Sequence, residues 1–255
     1  MPSLTGKTIL VTGASKGIGA AIVRVLGAEG AHVIAHYGND RSGAEASTAD
    51  IPAERKHLIA ADLADTGAVD RLWREAQAWR GRVDVLVNNA AVMRIAGGID
   101  DSQDKWDEVW DEALAVNVLA PVRLMRHAVR HYREKGGGII VTLSSWAAQR
   151  GPGNPALIAY ASSKAAVLTA TKTIARHHAK ENMLTYIVAP GVVRTQLSVD
   201  AAAAVGGEAV VTAGLAMGEW IPPEDLGQLV AFLASGKCRH LTGATLDVNG
   251  ASYLR

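Results

Sequence analysis

Short apolar runs alternate with longer stretches of helical spacing along the whole chain. Residues 8–12 form a β-branched run bounded by glycine, which reads as a buried strand. Residues 18–29 have helical spacing and stop at Gly30, a residue suited to a helix end. Further strands are predicted at 32–36, at 58–61 ending in Asp62, and at 83–87 running into Asn88 and Asn89. Residues 66–79 are amphipathic, with Asp65 or Thr66 as the cap. A long helical region spans 104–135, with a break predicted near Glu112. A fifth strand, 139–143, ends in Ser144 and Ser145. A helix over 158–180 leads to a sixth strand, 184–189, that stops at Pro190 and Gly191. The last elements are a helix over 223–235, with proline in its first turn, and a strand at Thr245–Val248.

Short apolar strands separated by helices predict an α/β fold. The expected architecture is a Rossmann-like, doubly wound parallel β-sheet of about seven strands with helices on both faces. Residues 1–255 are expected to form one domain, since α/β domains often reach about 250 residues. In such sheets ligands bind outside the carboxyl ends of the strands, so Gly13, Asp62, Asn88, Ser145 and Gly191 mark the expected site. Residues 194–222 are rich in Ala and Gly and show no clear pattern. A stretch that long in a compact domain is usually functional, so a substrate lid is expected there in preference to the alternative, an ordinary surface helix with flexible ends.

Composition narrows the partners. The net charge is +1 and no basic run appears, which argues against nucleic-acid and membrane-surface partners. The single cysteine, Cys238, permits no intrachain disulfide, and a cytoplasmic location is expected. The start of the chain lacks a basic region followed by an apolar one, so no signal peptide is expected. The apolar stretch 183–193 is too short to span a bilayer.

The turn after the first strand carries Gly13, Ser15, Lys16, Gly17, Ile18 and Gly19. Glycines there let the backbone approach a pyrophosphate, and the next helix offers free N–H groups and a positive dipole end. The spacing is Gly-x-x-x-Gly-x-Gly rather than Gly-x-Gly-x-x-Gly. Discrimination of a ribose 2′-phosphate is expected at the end of the second strand, where Tyr37 stands in place of an acid, followed by Asn39, Asp40 and Arg41. Lys16 and Arg41 could both face that phosphate, which favours NADP(H) over NAD(H), although Asp40 would oppose it. Asp62 and Leu63 are candidates for the adenine edge, Asn89 and Ala90 for the adenosine ribose.

Tyr160 and Lys164 lie four apart in a helical stretch and therefore share a face. A carbonyl that receives a hydride also needs a proton. A lysine ammonium beside a phenol favours the phenolate and so prepares it for proton transfer. Ser145 closes the preceding strand, where its hydroxyl could hold the substrate oxygen. Asn117 is a polar residue inside an apolar run, either a satisfied core amide or the anchor of a relay water.

The order and spacing of residues 12–19, Asn88-Asn89-Ala90, Asn117, Ser145, Tyr160-x-x-x-Lys164 and Pro190-Gly191 resemble the short-chain dehydrogenase/reductase family over essentially the whole chain. That resemblance implies Tyr160 as general acid/base and Lys164 as the group that lowers its pKa and bonds the nicotinamide ribose. Ser145 would orient the carbonyl or hydroxyl, and Asn117 would anchor a water. Pro190, Gly191, Val193 and Thr195 would meet the nicotinamide carboxamide. No metal is implied, and a homotetramer or homodimer is. The implied activity is hydride transfer between nicotinamide and a small carbonyl or secondary alcohol. A polyol dehydrogenase, or a redox sensor that binds without turnover, are the alternatives.

Three features depart from the family pattern: Ala91 replaces a usual glycine, Trp146 replaces a smaller residue, and the stretch 149–155 is slightly long. All three lie at the expected substrate mouth. Candidate substrate contacts are Ser145, Trp146, Arg150 and Tyr160, with Met93, Arg94, Gln149, Val192 and Trp220 around them.

Overall fold

The structure is a computed structural model and describes residues 3–254. In chain order the main elements begin with β1 (Thr8–Val11), α1 (Gly17–Ala28), β2 (His32–Tyr37), α2 (Arg41–Ser47), β3 (Lys56–Ala60), α3 (Thr66–Arg80) and β4 (Val85–Asn88). They continue with α4 (Gln103–Leu114), α5 (Ala120–Lys135), β5 (Gly138–Leu143), α6 (Ala147–Arg150), α7 (Ile158–His178) and β6 (Met183–Pro190). The last are α8 (Gln196–Ala203), α9 (Glu208–Ala213), α10 (Pro223–Ala234) and β7 (Thr245–Val248).

All seven strands join one parallel sheet in the order β3-β2-β1-β4-β5-β6-β7, which is the predicted doubly wound arrangement. The strands are apolar in consecutive positions because both faces are covered. Alternate residues point to opposite faces. Ile9, Val11, Val85 and Val87 pack under Ile22 and Leu26 of α1 and Val230 and Leu233 of α10. Leu10, Leu86 and Ile140 pack against Leu72 of α3, Leu124 and Met125 of α5, and Val167 of α7. Each such side chain stabilises the fold by about 1.5–3 kcal/mol.

The chain reverses its direction of winding between β1 and β4, so the loops after these neighbouring strands open a crevice. The break in the long helical region falls at Ala115–Leu119, a π-helical turn, rather than near Glu112. The patternless 194–222 stretch holds α8 and α9, two short helices that bury only Ala202 between them. Among the described residues no helix is long and apolar enough to cross a membrane.

Candidate active site

The ends of β1 and β4 are laced together by side chains. Thr12 Oγ1 accepts from the Asn89 and Ala90 amides at 3.0 and 3.1 Å and donates to Val87 O at 3.3 Å. Asn89 Nδ2 donates to the carbonyls of Thr12 and Gly13 at 2.8 and 3.1 Å. Gly13 takes a left-handed φ of +68°, and a Cβ on Gly19 would lie 2.0 Å from the Gly13 carbonyl. Larger residues are therefore excluded where the loop folds onto α1. Lys16 precedes α1 with no side-chain cap, which leaves the helix's first amides facing outward beside Ser15, Gly17 and Ile18. A Cβ on Gly17 would meet Thr195 at 3.1 Å. A cleft of about 380 Å³ lies between the loop and Thr195, with Lys16, Arg24 and Arg194 on its walls. Uncapped amides, a backbone stripped of side chains and the exposed Lys16 fit a pyrophosphate, while Arg24 and Arg194 are paired with Glu224 and Glu208 at 3.1 and 2.8 Å.

Tyr37 ends β2 and is buried, while Asn39 is exposed. Arg41 opens α2, pairs with Glu45 at 2.8 Å and lies beside the Tyr37 hydroxyl. The carboxylate of Asp40 caps α2, accepting from Gly43 N at 2.9 Å and Ser42 Oγ at 3.1 Å. Asp62 is exposed and accepts from Ala64 N at 2.9 Å, and Leu63 is buried.

Ser145, Tyr160 and Lys164 meet where β5 ends against α7. Ser145 Oγ accepts from Ala147 N at 3.1 Å and hydrogen-bonds Tyr160. Lys164 is 4% exposed, and its Nζ donates to Leu143 O at 2.9 Å. Ser144 Oγ donates to Lys164 O at 3.0 Å, a second tie between strand end and helix. Burial lowers the Lys164 pKa to about 8. The expected lowering of the Tyr160 pKa is absent. Burial pushes it up, and the bond from Ser145 offsets only part of that. The ammonium lies 5.9 Å from the phenol ring centroid and spends a bond on Leu143, so desolvation prevails over attraction.

Asn117 is 1% exposed and fully engaged. Its Oδ1 accepts from Val92 N at 2.8 Å, and its Nδ2 donates to Val92 O at 2.9 Å and Ser163 Oγ at 3.0 Å. Of the two readings of Asn117, the side chain matches the satisfied amide. It ties the loop after β4 to α7.

Toward the substrate side, Trp146 packs on Gly191, and its amide donates to Pro190 O at 3.0 Å. The Arg150 guanidinium stacks over the Trp146 ring at 4.1 Å, and Gln149 Nε2 donates to Asp247 at 2.9 Å. Arg94 is clamped on Glu112 by bonds of 2.7 and 2.8 Å, which removes it as an open anion contact. Val193 bridges Ile221, Thr195 caps α8, and Trp220 is buried with its Nε1 donating to Thr212 at 2.8 Å. Val192 and Trp220 line a separate hollow of about 290 Å³ near the end of β7.

Sequence reasoning passed over His36 and Ser163. His36 Nδ1 accepts from Gly13 N at 3.1 Å, and its Nε2 meets Ala61 O at 3.0 Å. The signal was present: a histidine inside the apolar run of β2.

A family profile described as enoyl-(acyl carrier protein) reductase matches residues 13–251. The 3beta-hydroxysteroid dehydrogenase 1 of Eggerthella lenta is 34% identical over 260 residues, covering 98% of this chain and 95% of its own. A short chain dehydrogenase from Burkholderia cenocepacia, solved in complex with NADP, superposes with a TM-score of 0.85 at 34% identity over 98% of each chain. The 3-ketoacyl-(acyl-carrier-protein) reductase from Brucella melitensis, complexed with NADH, gives 0.87 at 28% identity, covering 99% of this chain and 100% of its own.

Proposed function

The chain belongs to the short-chain dehydrogenase/reductase family of NAD(P)-dependent oxidoreductases, and from that premise we propose that Tyr160 is the general acid/base acting on a small carbonyl or secondary alcohol. The observation that carries this reading is the Tyr160 hydroxyl hydrogen-bonded to Ser145 on the helix face that also presents Lys164. A bound nicotinamide dinucleotide supplies or accepts the hydride. Tyr160 gives its phenolic proton to the carbonyl oxygen, which becomes the alcohol hydroxyl. Ser145 holds that oxygen, and Lys164 is cationic at neutral pH and bonds the ribose. With its pKa raised, Tyr160 keeps its proton at neutral pH, the form that carbonyl reduction consumes. Changing Tyr160 to Phe is expected to lower turnover by about 10²–10⁴-fold while the dinucleotide still binds. Full activity of that variant overturns the assignment.

The dinucleotide contacts proposed are Gly13 to Gly19 for the pyrophosphate, Asp62 and Leu63 for adenine, Asn89 and Ala90 for the adenosine ribose, and Pro190, Gly191, Val193 and Thr195 for the carboxamide. NADP(H) is the favoured cofactor. Supporting this, Arg41 lies beside Tyr37, Lys16 is exposed on the loop, and Asp40 is turned into the start of α2. Catalytic efficiency with NADPH is expected to exceed that with NADH, and the reverse order refutes the preference.

Residues 194–222 act as the lid of one domain spanning 1–255. The protein works in the cytoplasm as a homotetramer or homodimer, with exposed Leu114 and Leu119 beside the π turn meeting a second copy. A monomer by light scattering refutes that assembly.

A further inference from the structure

Alongside Asn89 and Thr12, the glycine loop is held by a buried side chain that takes no part in hydride or proton transfer. His36 is 2% exposed and shares a face of β2 with Ile34, a position where the strand pattern calls for an apolar residue. Its Nδ1 accepts from Gly13 N–H at 3.1 Å, and its backbone carbonyl accepts from Ala14 N–H at 2.8 Å. One residue thus fixes two consecutive amides of the loop. Its Nε2 reaches Ala61 O at 3.0 Å, at the end of β3. An acceptor at Nδ1 requires the neutral ring with its proton on Nε2, which then donates to Ala61. Both ring nitrogens are used, and both bonds end on backbone at the carboxyl ends of the strands that flank β2, after β1 and after β3.

We propose that His36 is a positioning residue for the dinucleotide, presetting the glycine loop through the Gly13 amide, with the bond to Ala61 O holding the ring in the tautomer that accepts there. This rests on the dinucleotide reading of the site. Without the imidazole, Gly13 N–H is left without its acceptor at the carboxyl end of β1, or the loop moves to find one. Either way the competent loop becomes a fraction of the population, and apparent affinity falls by that fraction.

Four variants of the full chain separate the two bonds. Asn places Oδ1 where the histidine has Nδ1 and keeps the Gly13 bond. Gln places its amide where Nε2 stands and keeps the Ala61 bond. Leu and Ala remove both. The readouts are NADPH and NADH affinity by nucleotide fluorescence, and hydrogen exchange over residues 12–19 in ligand-free protein. H36L and H36A are expected to weaken both dinucleotides about tenfold, the loss of one buried hydrogen bond, with the loss in cofactor KM rather than kcat. H36N should stay within about threefold of the parent, with loop exchange unchanged, and H36Q should resemble H36L. H36Q binding as tightly as H36N overturns the proposal, as does parental affinity in H36L or H36A. If the apolar variants fail to fold, the Asn and Gln pair still decides. Parent protein that binds neither dinucleotide overturns the cofactor reading itself, and this inference with it.

Discussion

The glycine loop and the 196–219 segment flank Thr195, and they differ in how far the protein satisfies them by itself. In the loop, the amides of Gly13 and Ala14 go to His36, and the Gly13 carbonyl goes to Asn89. In the segment, Leu197, Val205, Val210 and Met217 are exposed, and the Arg194–Glu208 pair at 2.8 Å lies open to solvent. Surface pairs of that kind contribute roughly 0–1 kcal/mol. The loop is preorganised for a ligand of fixed shape. The segment leaves its apolar surface for something else to cover. On the function proposed above, reaction chemistry would be held on the rigid side and substrate choice on the loose one.

The largest effects are expected on the rigid side. Replacing Lys164 by Met should lower turnover by about 10²–10⁴-fold. The same change should raise the melting temperature at pH 7. A buried amine with its pKa lowered from 10.5 to about 8 binds fewer protons folded than unfolded, so stability falls as pH drops from 10.5 through 8. Calorimetry that finds K164M less stable than the parent at pH 7 contradicts this sign. Next comes Gly19→Ala, whose Cβ meets the Gly13 carbonyl; a loss of about 2–4 kcal/mol and of dinucleotide binding is expected in urea titrations. An intermediate effect tests the lysine charge. Reduction should weaken above about pH 8 as Lys164 loses its proton, and Lys164→Arg should remove that limb if it is active. An unshifted limb in K164R assigns it elsewhere. The smallest effect belongs to the loose side: Val210→Ser should change stability by less than about 0.5 kcal/mol. A larger loss in thermal melts would mean the segment is as tightly packed as the loop.

Much of this division was legible in the sequence. The strand at Thr245–Val248 agrees to the residue, and the others lie within two residues at each end. Buried parallel strands announce themselves as apolar runs between turn residues. The helices α2 and α6 escaped notice, and α8 and α9 were covered only by the alternative of a surface helix in 194–222, because all four are short and bury few residues, so no apolar stripe forms. The spacing of Tyr160 and Lys164 put them on one face, but spacing says nothing of desolvation, which sets the direction of the Tyr160 shift. Asp40 looked like a repulsive neighbour of a phosphate because its commitment to Gly43 is a property of the folded turn. His36 broke the apolar pattern of β2 openly, yet its partners, Gly13 and Ala61, are remote in sequence.

The π turn at Ala115–Leu119 carries one residue more than an α-helical turn would hold, with Ala120 N–H reaching back to Ala115 O. An α-helix advances about 100° per residue. The extra residue is absorbed within the turn, so removing it would leave α5 close to its present phase, whereas removing one residue from the regular part of α5 ahead of Arg123 would turn everything downstream by about that angle. Arg123, whose bonds to Asp70 of α3 are 2.6 Å long, would swing off its partner, and Leu124 and Met125 would leave the core face. The segment is therefore a phase buffer: it stores a spare residue without moving the azimuth of α5, and only insertions or deletions in the surface loops should be tolerated equally well.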